Sequence, residues 1–178
     1  HLSIRRQRQM CIRDSATAAD LADHDVVYLA ASPLQRAQET ARPFSEKLGL
    51  EVHTDERIIE AGNDLQGLHI KGVRSALWNP KRWPMLKNPT IPSWGEPYKE
   101  IADRMWEAVD AAREKARGHE AVLVSHQLPI VMIQRDAQGL PLAHNPADRQ
   151  CDLASVTSLV FDGGQLTDIY YSEPAQEI

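Results

Sequence analysis

The stretch Val26 to Ala41, VVYLAASPLQRAQETA, constrains this chain most, because it drives a buried strand straight into a helix. Val26 to Ala31 is a short apolar run bounded by polar residues, the pattern of a strand covered on both faces in a parallel sheet. Ser32 and Pro33 end it. The predicted helix runs from Ser32 to Leu48, with Ser32 as N-cap, Pro33 in the first turn and Gly49 as C-cap. Arg36 then lies where open α/β sheets bind ligands, at a helix N-terminus that favours anions. A basic residue there opposes the helix dipole. Arg36 therefore either pairs on the surface with Glu39 or Glu56, or holds an anion.

A second apolar strand, Ala121 to Val124 (AVLV), repeats this arrangement further along the chain. It runs into Ser125-His126-Gln127, followed by a helix predicted to start at Pro129. A lone histidine at a strand end serves either as a hydrogen-bonded structural residue or as a site residue.

These segments resemble the histidine phosphatase superfamily, the phosphoglycerate-mutase-like enzymes. SPLQRAQETA matches every fixed position of the family's S-P-L-x-R-A-x-x-T-A segment, and VSHQ is similar to its V-S-H-G segment, with Gln127 in place of glycine. DERIIEAGNDLQG is similar to the segment whose glutamate donates a proton, which puts Glu60 in that place. Glu56 or Asp64 could stand there instead, because the spacing from Glu60 to Gly67 is one residue short. Gly95, Glu96, Glu100 and Arg104 resemble the start of a later helix, predicted from Glu96 to Arg117; most of its charges read as a solvated face.

What the resemblance implies is a metal-independent phosphomonoesterase that uses no cofactor and forms a phosphohistidine. Arg36 and His126 would bind phosphate, with His126 and Glu60 as catalytic residues. A carboxyl beside a bound dianion is pushed toward protonation, as a general acid requires. Gln127 would narrow the pocket or donate to the phosphate. The family's nucleophile sits in an R-H-G motif at the end of its first strand, and no Arg-His-Gly occurs in these 178 residues. Residues 1–15 hold four arginines and no strand pattern; they read as a disordered basic arm or a non-native segment, with the family-like domain spanning 16–178. The expectation is a chain that enters its fold partway and is inactive alone. The alternatives are a phosphoglycerate-mutase-type phosphotransferase and a noncatalytic phosphate-ligand module.

Between about 69 and 97 stand five of the eleven prolines and three of the four tryptophans. Proline at this density forbids a long regular element. Trp78, Trp83 and Trp94 could form a lid that contacts substrate, or could plug the core from a rigid insertion.

The remaining expectations come from composition. Hydrophobic content of 42% and charged content of 25% are ordinary for a globular domain. Net charge is −5, with +3 in residues 1–15 and −8 in the rest. An acidic body argues against nucleic acid as a partner and leaves a small phosphorylated metabolite as the expected one. No apolar run approaches a bilayer span, so no membrane partner is expected. Two cysteines give no disulfide framework, and cytoplasm is the expected compartment. Strands at Leu50 to His53, and at Ser155 to Phe161 and Leu166 to Tyr171 about Asp162-Gly163-Gly164, complete the picture. The predicted architecture is a three-layer α/β/α sandwich, mostly parallel, with a C-terminal β-hairpin closing one sheet edge.

Overall fold

The computed structural model describes residues 12–62 and 95–176. Helix α1 (12–20) leads to β1 (Val26–Ala31), α2 (Gln35–Leu48), β2 (Val52–Thr54), α3 (Tyr98–Lys115), β3 (Glu120–Val124), α4 (Gln127–Ala137), β4 (Val156–Asp162) and β5 (Gln165–Ser172). Strands β2, β1 and β3 form a parallel sheet in that order, with Leu29 opposite both Val52 and Val122.

Alternation along β3 assigns the layers. Val122 and Val124 pack with Leu29 of β1, Ala18 of α1, Leu21 just after it and Phe44 of α2. Leu123 points the other way, to Ile58, Met105, Ala108 and Ile133 beneath α3 and α4. Helices therefore cover both faces of the sheet, as expected of parallel strands. Helices α3 and α4 are joined by a further apolar cluster and by Trp106 Nε1 donating to Asp136 Oδ2 at 2.8 Å.

Several boundaries differ from the sequence expectations. Helix α2 begins at Gln35 rather than Ser32, because a residue before proline is held out of the helical region and Leu34 is also extended (ψ 134°). Helix α4 begins at Gln127, two residues before Pro129, with His126 as its N-cap. Strand β2 lies at Val52–Thr54, shifted toward the site by its pairing with Leu29 to Ala31. Helix α1 takes in residues 12–15, and buried Asp14 accepts a 3.0 Å hydrogen bond from Thr40 Oγ1 of α2, so the folded body reaches at least to residue 12.

The hairpin turns at Gly163 and Gly164, both at positive φ. It does not close the edge of the parallel sheet, as the sequence suggested: β4 and β5 form their own two-stranded sheet. The two strands pair along one edge each, and side chains dock them on the rest of the fold. Leu159 packs on the cluster beneath α3 and α4, and the Arg113 guanidinium lies 3.7 Å from the centre of the Phe161 ring.

Candidate active site

The parallel sheet sends all three of its strands to one carboxyl edge, where β-ladder hydrogen bonds continue into the loops. Ser32 N donates to Val124 O at 3.0 Å, and Asp55 N donates to Ala31 O at 3.0 Å. The loop after β2 is pinned by Asp55, which caps a short turn at Glu56–Ile58 and pairs with Arg57 at 2.6 Å. Ser125 Oγ donates to Ile58 O at 2.8 Å, tying the tip of β3 to that turn. Glu60 is thereby delivered to the tips of β1 and β3.

Four side chains meet there. Arg36 Nε donates to His126 Nδ1 at 3.2 Å, and His126 Nε2 lies 2.8 Å from Ser32 Oγ. Glu60 Oε2 lies 3.7 Å from Arg36 Nη2 and 3.9 Å from His126 Nδ1. Because a guanidinium only donates, Nδ1 of the imidazole is an acceptor and Nε2 carries the proton, donating it to Ser32. Arg36 pairs with neither Glu39 nor Glu56: Gln35 takes Glu39 at 2.7 Å, and Glu56 is exposed.

Burial sets the protonation states. His126 is 6% exposed, and its pKa is lowered to about 4, chiefly by desolvation and further by the charges of Arg36 and Arg104. It is neutral at pH 7, so its contact with Glu60 is not an ion pair. Burial pushes the Glu60 carboxyl up from its ordinary value, opposed by the Ala61 N–H and by Arg36, Arg149 and Arg104. A neutral imidazole, a guanidinium and a carboxyl inclined to hold its proton lie within 4 Å of one another, a set suited to an oxyanion and a departing oxygen.

The surroundings add groups that sequence reasoning placed differently or missed. Glu96 and Arg104 are not a solvated face: the carboxylate grips the guanidinium at 2.7 and 2.9 Å, with both side chains mostly buried, and Arg104 Nη1 also donates to the Arg57 carbonyl. Gln127 spends its amide nitrogen on Cys151 O at 3.0 Å, and its oxygen lies 3.5 Å from Arg149 Nη1. The sequence pattern assigns Ser32 only to capping; no local pattern points to a histidine 94 residues away. Trp78, Trp83, Trp94 and Asp64 lie outside the described residues. Among the described residues, no three His, Cys, Asp or Glu side chains converge as a metal site, and no helix is long and apolar enough to cross a membrane.

The model of the histidine phosphatase superfamily (branch 1) matches residues 13–171. An uncharacterized protein of Mycobacterium tuberculosis is 50% identical over 161 residues, which is 90% of this chain and 80% of that protein. A probable phosphoglycerate mutase of Yersinia enterocolitica is 30% identical over 121 residues, 65% of this chain and 55% of that protein. Among solved structures, a mycobacterial glucosyl-3-phosphoglycerate phosphatase in complex with VO3 is similar at a TM-score of 0.65 and 26% identity, covering 90% of this chain and 82% of that one.

Proposed function

Because the chain belongs to the histidine phosphatase superfamily, we propose that it forms the greater part of a metal-independent phosphomonoesterase that works through a phosphohistidine. What supports the reading is the meeting of Arg36, His126 and Glu60 from three strand tips within 4 Å. In this reading a histidine from outside these 178 residues attacks phosphorus in line. The bond from phosphorus to the ester oxygen breaks as the new nitrogen–phosphorus bond forms, and Glu60 gives its proton to the departing alkoxide. Arg36 and His126 hold the equatorial oxygens, where charge builds. Water then attacks the phosphohistidine, returns a proton to Glu60 and releases phosphate.

The open side of β3 supports a supplied strand. Its apolar residues Ala121 to Val124 are only half-buried, and its flank away from β1 has no strand partner among the described residues. The hairpin strand β4 reaches the same cluster through Leu159 that β3 reaches through Leu123.

Phosphatase is preferred over mutase, since nothing among the residues marks a site for handing phosphate back to a diphospho-intermediate; the mutase relative keeps that second reading in play. The test is hydrolysis of p-nitrophenyl phosphate. The expected result is no turnover by the 178-residue chain and turnover once a family-like first strand bearing Arg-His-Gly precedes it. Phosphate binding without turnover in that longer protein would favour a noncatalytic module.

A further inference from the structure

Ser32 follows β1 on a backbone held from two sides. Its N–H donates to Val124 O at the tip of β3 at 3.0 Å, and its carbonyl accepts from Gln38 Nε2 of α2 at 2.8 Å. Pro33 comes next and restricts Ser32 to extended backbone. The whole residue is 0% exposed. Its hydroxyl meets the imidazole of His126, two residues past Val124, at 2.8 Å.

That contact has a defined direction. A hydroxyl offers two lone pairs, and Leu34 N donates to Ser32 Oγ at 3.3 Å, which leaves the other for His126 Nε2. Arg36 Nε donates to Nδ1 on the other side of the ring at 3.2 Å. An acceptor at Nε2 and a donor at Nδ1 select one neutral tautomer and one ring orientation, because turning the ring over would present carbon to both partners. The two supports are unequal. The Arg36 side chain is 51% exposed and, in the proposed reading, gives up its bond to Nδ1 when it takes a phosphate oxygen. Ser32 is buried and meets no ligand, so it alone keeps the ring in place through that exchange. An imidazolium keeps the same bond, since Nε2 carries a proton in both protonation states.

We propose that Ser32 is a positioning residue for His126: its hydroxyl takes the Nε2 proton and so keeps Nδ1 as the nitrogen on the side of Arg36 and the phosphoryl group. The role in binding rests on the phosphatase reading above, whereas the hold on the ring is measurable without a ligand.

The test uses the 178-residue chain with nitrogen-15 in its histidines, observed by NMR at pH 7, and calorimetric titration with inorganic phosphate. The expected result is a protonated Nε2 and a bare Nδ1 at His126 in the wild type and in Ser32→Thr, which keeps the hydroxyl on a residue suited to extended backbone. In Ser32→Ala and in Ser32→Cys, which nearly keeps the volume but is a weak acceptor, the two nitrogens should move to intermediate shifts and phosphate should bind about tenfold more weakly. In a His126→Phe background, Ser32→Ala should change phosphate affinity by less than about twofold, because the group it acts through is gone. Unchanged nitrogen shifts, or unchanged phosphate affinity, in Ser32→Ala and Ser32→Cys overturn the proposal. A loss of affinity that persists in the His126→Phe background assigns Ser32 to the start of α2 and overturns it as well. No binding of inorganic phosphate by the wild type, or binding unchanged in Arg36→Ala, overturns the phosphatase reading, and the nitrogen shifts of the free chain then still decide whether Ser32 holds the ring.

Discussion

Arg36 donates from Nε to His126 Nδ1 across 3.2 Å, joining the helix after β1 to the tip of β3 over 90 residues of sequence. The guanidinium thus satisfies the imidazole with which, in the proposed reading, it would share a phosphate. In the proposed reading, replacing either group removes a contact to the equatorial oxygens. In the strand-completed protein, Arg36→Ala and His126→Ala should each lower kcat/KM by about 10²- to 10³-fold. A drop below twofold in either would count against the site.

If His126 holds phosphate as proposed, its protonation links phosphate binding to pH. Nδ1 faces Arg36 as an acceptor, so to donate there to a phosphate oxygen the imidazole must take up a proton or switch tautomer, with Ser32 Oγ then donating to Nε2. A bound dianion favours that proton, which raises the pKa from about 4. Phosphate should therefore bind with net proton uptake near pH 6 to 7, read as a binding enthalpy that varies with the ionisation enthalpy of the buffer. Affinity independent of buffer and pH, after correction for the titration of phosphate itself, would mean that His126 stays neutral in the complex.

The same histidine sets a stability trend in the free protein. With a folded pKa near 4 against an ordinary 6.5, the unfolded chain binds more protons between these values. Stability from this group is thus intact above about pH 6.5 and is lost as pH falls toward 4, by up to roughly 3 kcal/mol. His126→Phe should flatten urea-midpoint curves over that interval. An unchanged slope would place the acid sensitivity in other groups.

Glu60 shows how the sequence and the three-dimensional structure divide the information. Its segment was legible because a motif surrounds it, and β1 was legible to the residue because six apolar positions sit between polar ones. The helix starts were not. The Ser32 hydroxyl does accept from Leu34 N at 3.3 Å and also meets His126 Nε2, but Leu34 is extended, so α2 begins three residues late. Arg149 carried no local signal at all, since the partners that brace it lie 5 and 22 residues away. The hairpin turn could be read from Gly163 and Gly164, but which sheet it joined could not, because docking by Leu159 and Phe161 is a tertiary matter.

A general acid is needed most where the leaving oxygen is basic. Burial raises the Glu60 pKa above its ordinary value, which favours the proton a general acid must hold. In the strand-completed protein, Glu60→Gln should cut kcat about 10²- to 10⁴-fold for an alkyl phosphate and far less for p-nitrophenyl phosphate, whose phenolate leaves unaided. Because a raised carboxyl pKa means that the folded state resists ionisation, stability at pH 7 should not fall in this variant. Equal losses on both substrates would assign Glu60 to binding rather than proton transfer.

Glu96, just before α3, and Arg104 on α3 form an ion pair with side chains 22% and 16% exposed. Two parallel hydrogen bonds hold the guanidinium, and its remaining nitrogen reaches the Arg57 carbonyl at the turn that leads to Glu60. Removing the carboxylate leaves a mostly buried charge without its counter-ion, which costs more than the pair itself contributes. Glu96→Ala should therefore lower stability by roughly 2 kcal/mol, seen as a fall in urea midpoint at constant slope. Arg104→Met in the Glu96→Ala background should recover much of that loss, because an unpaired charge, rather than a missing contact, is what the single variant suffers. If the double variant is no more stable than Glu96→Ala, packing by the glutamate stem is the larger effect and the loop after β2 is held by other groups.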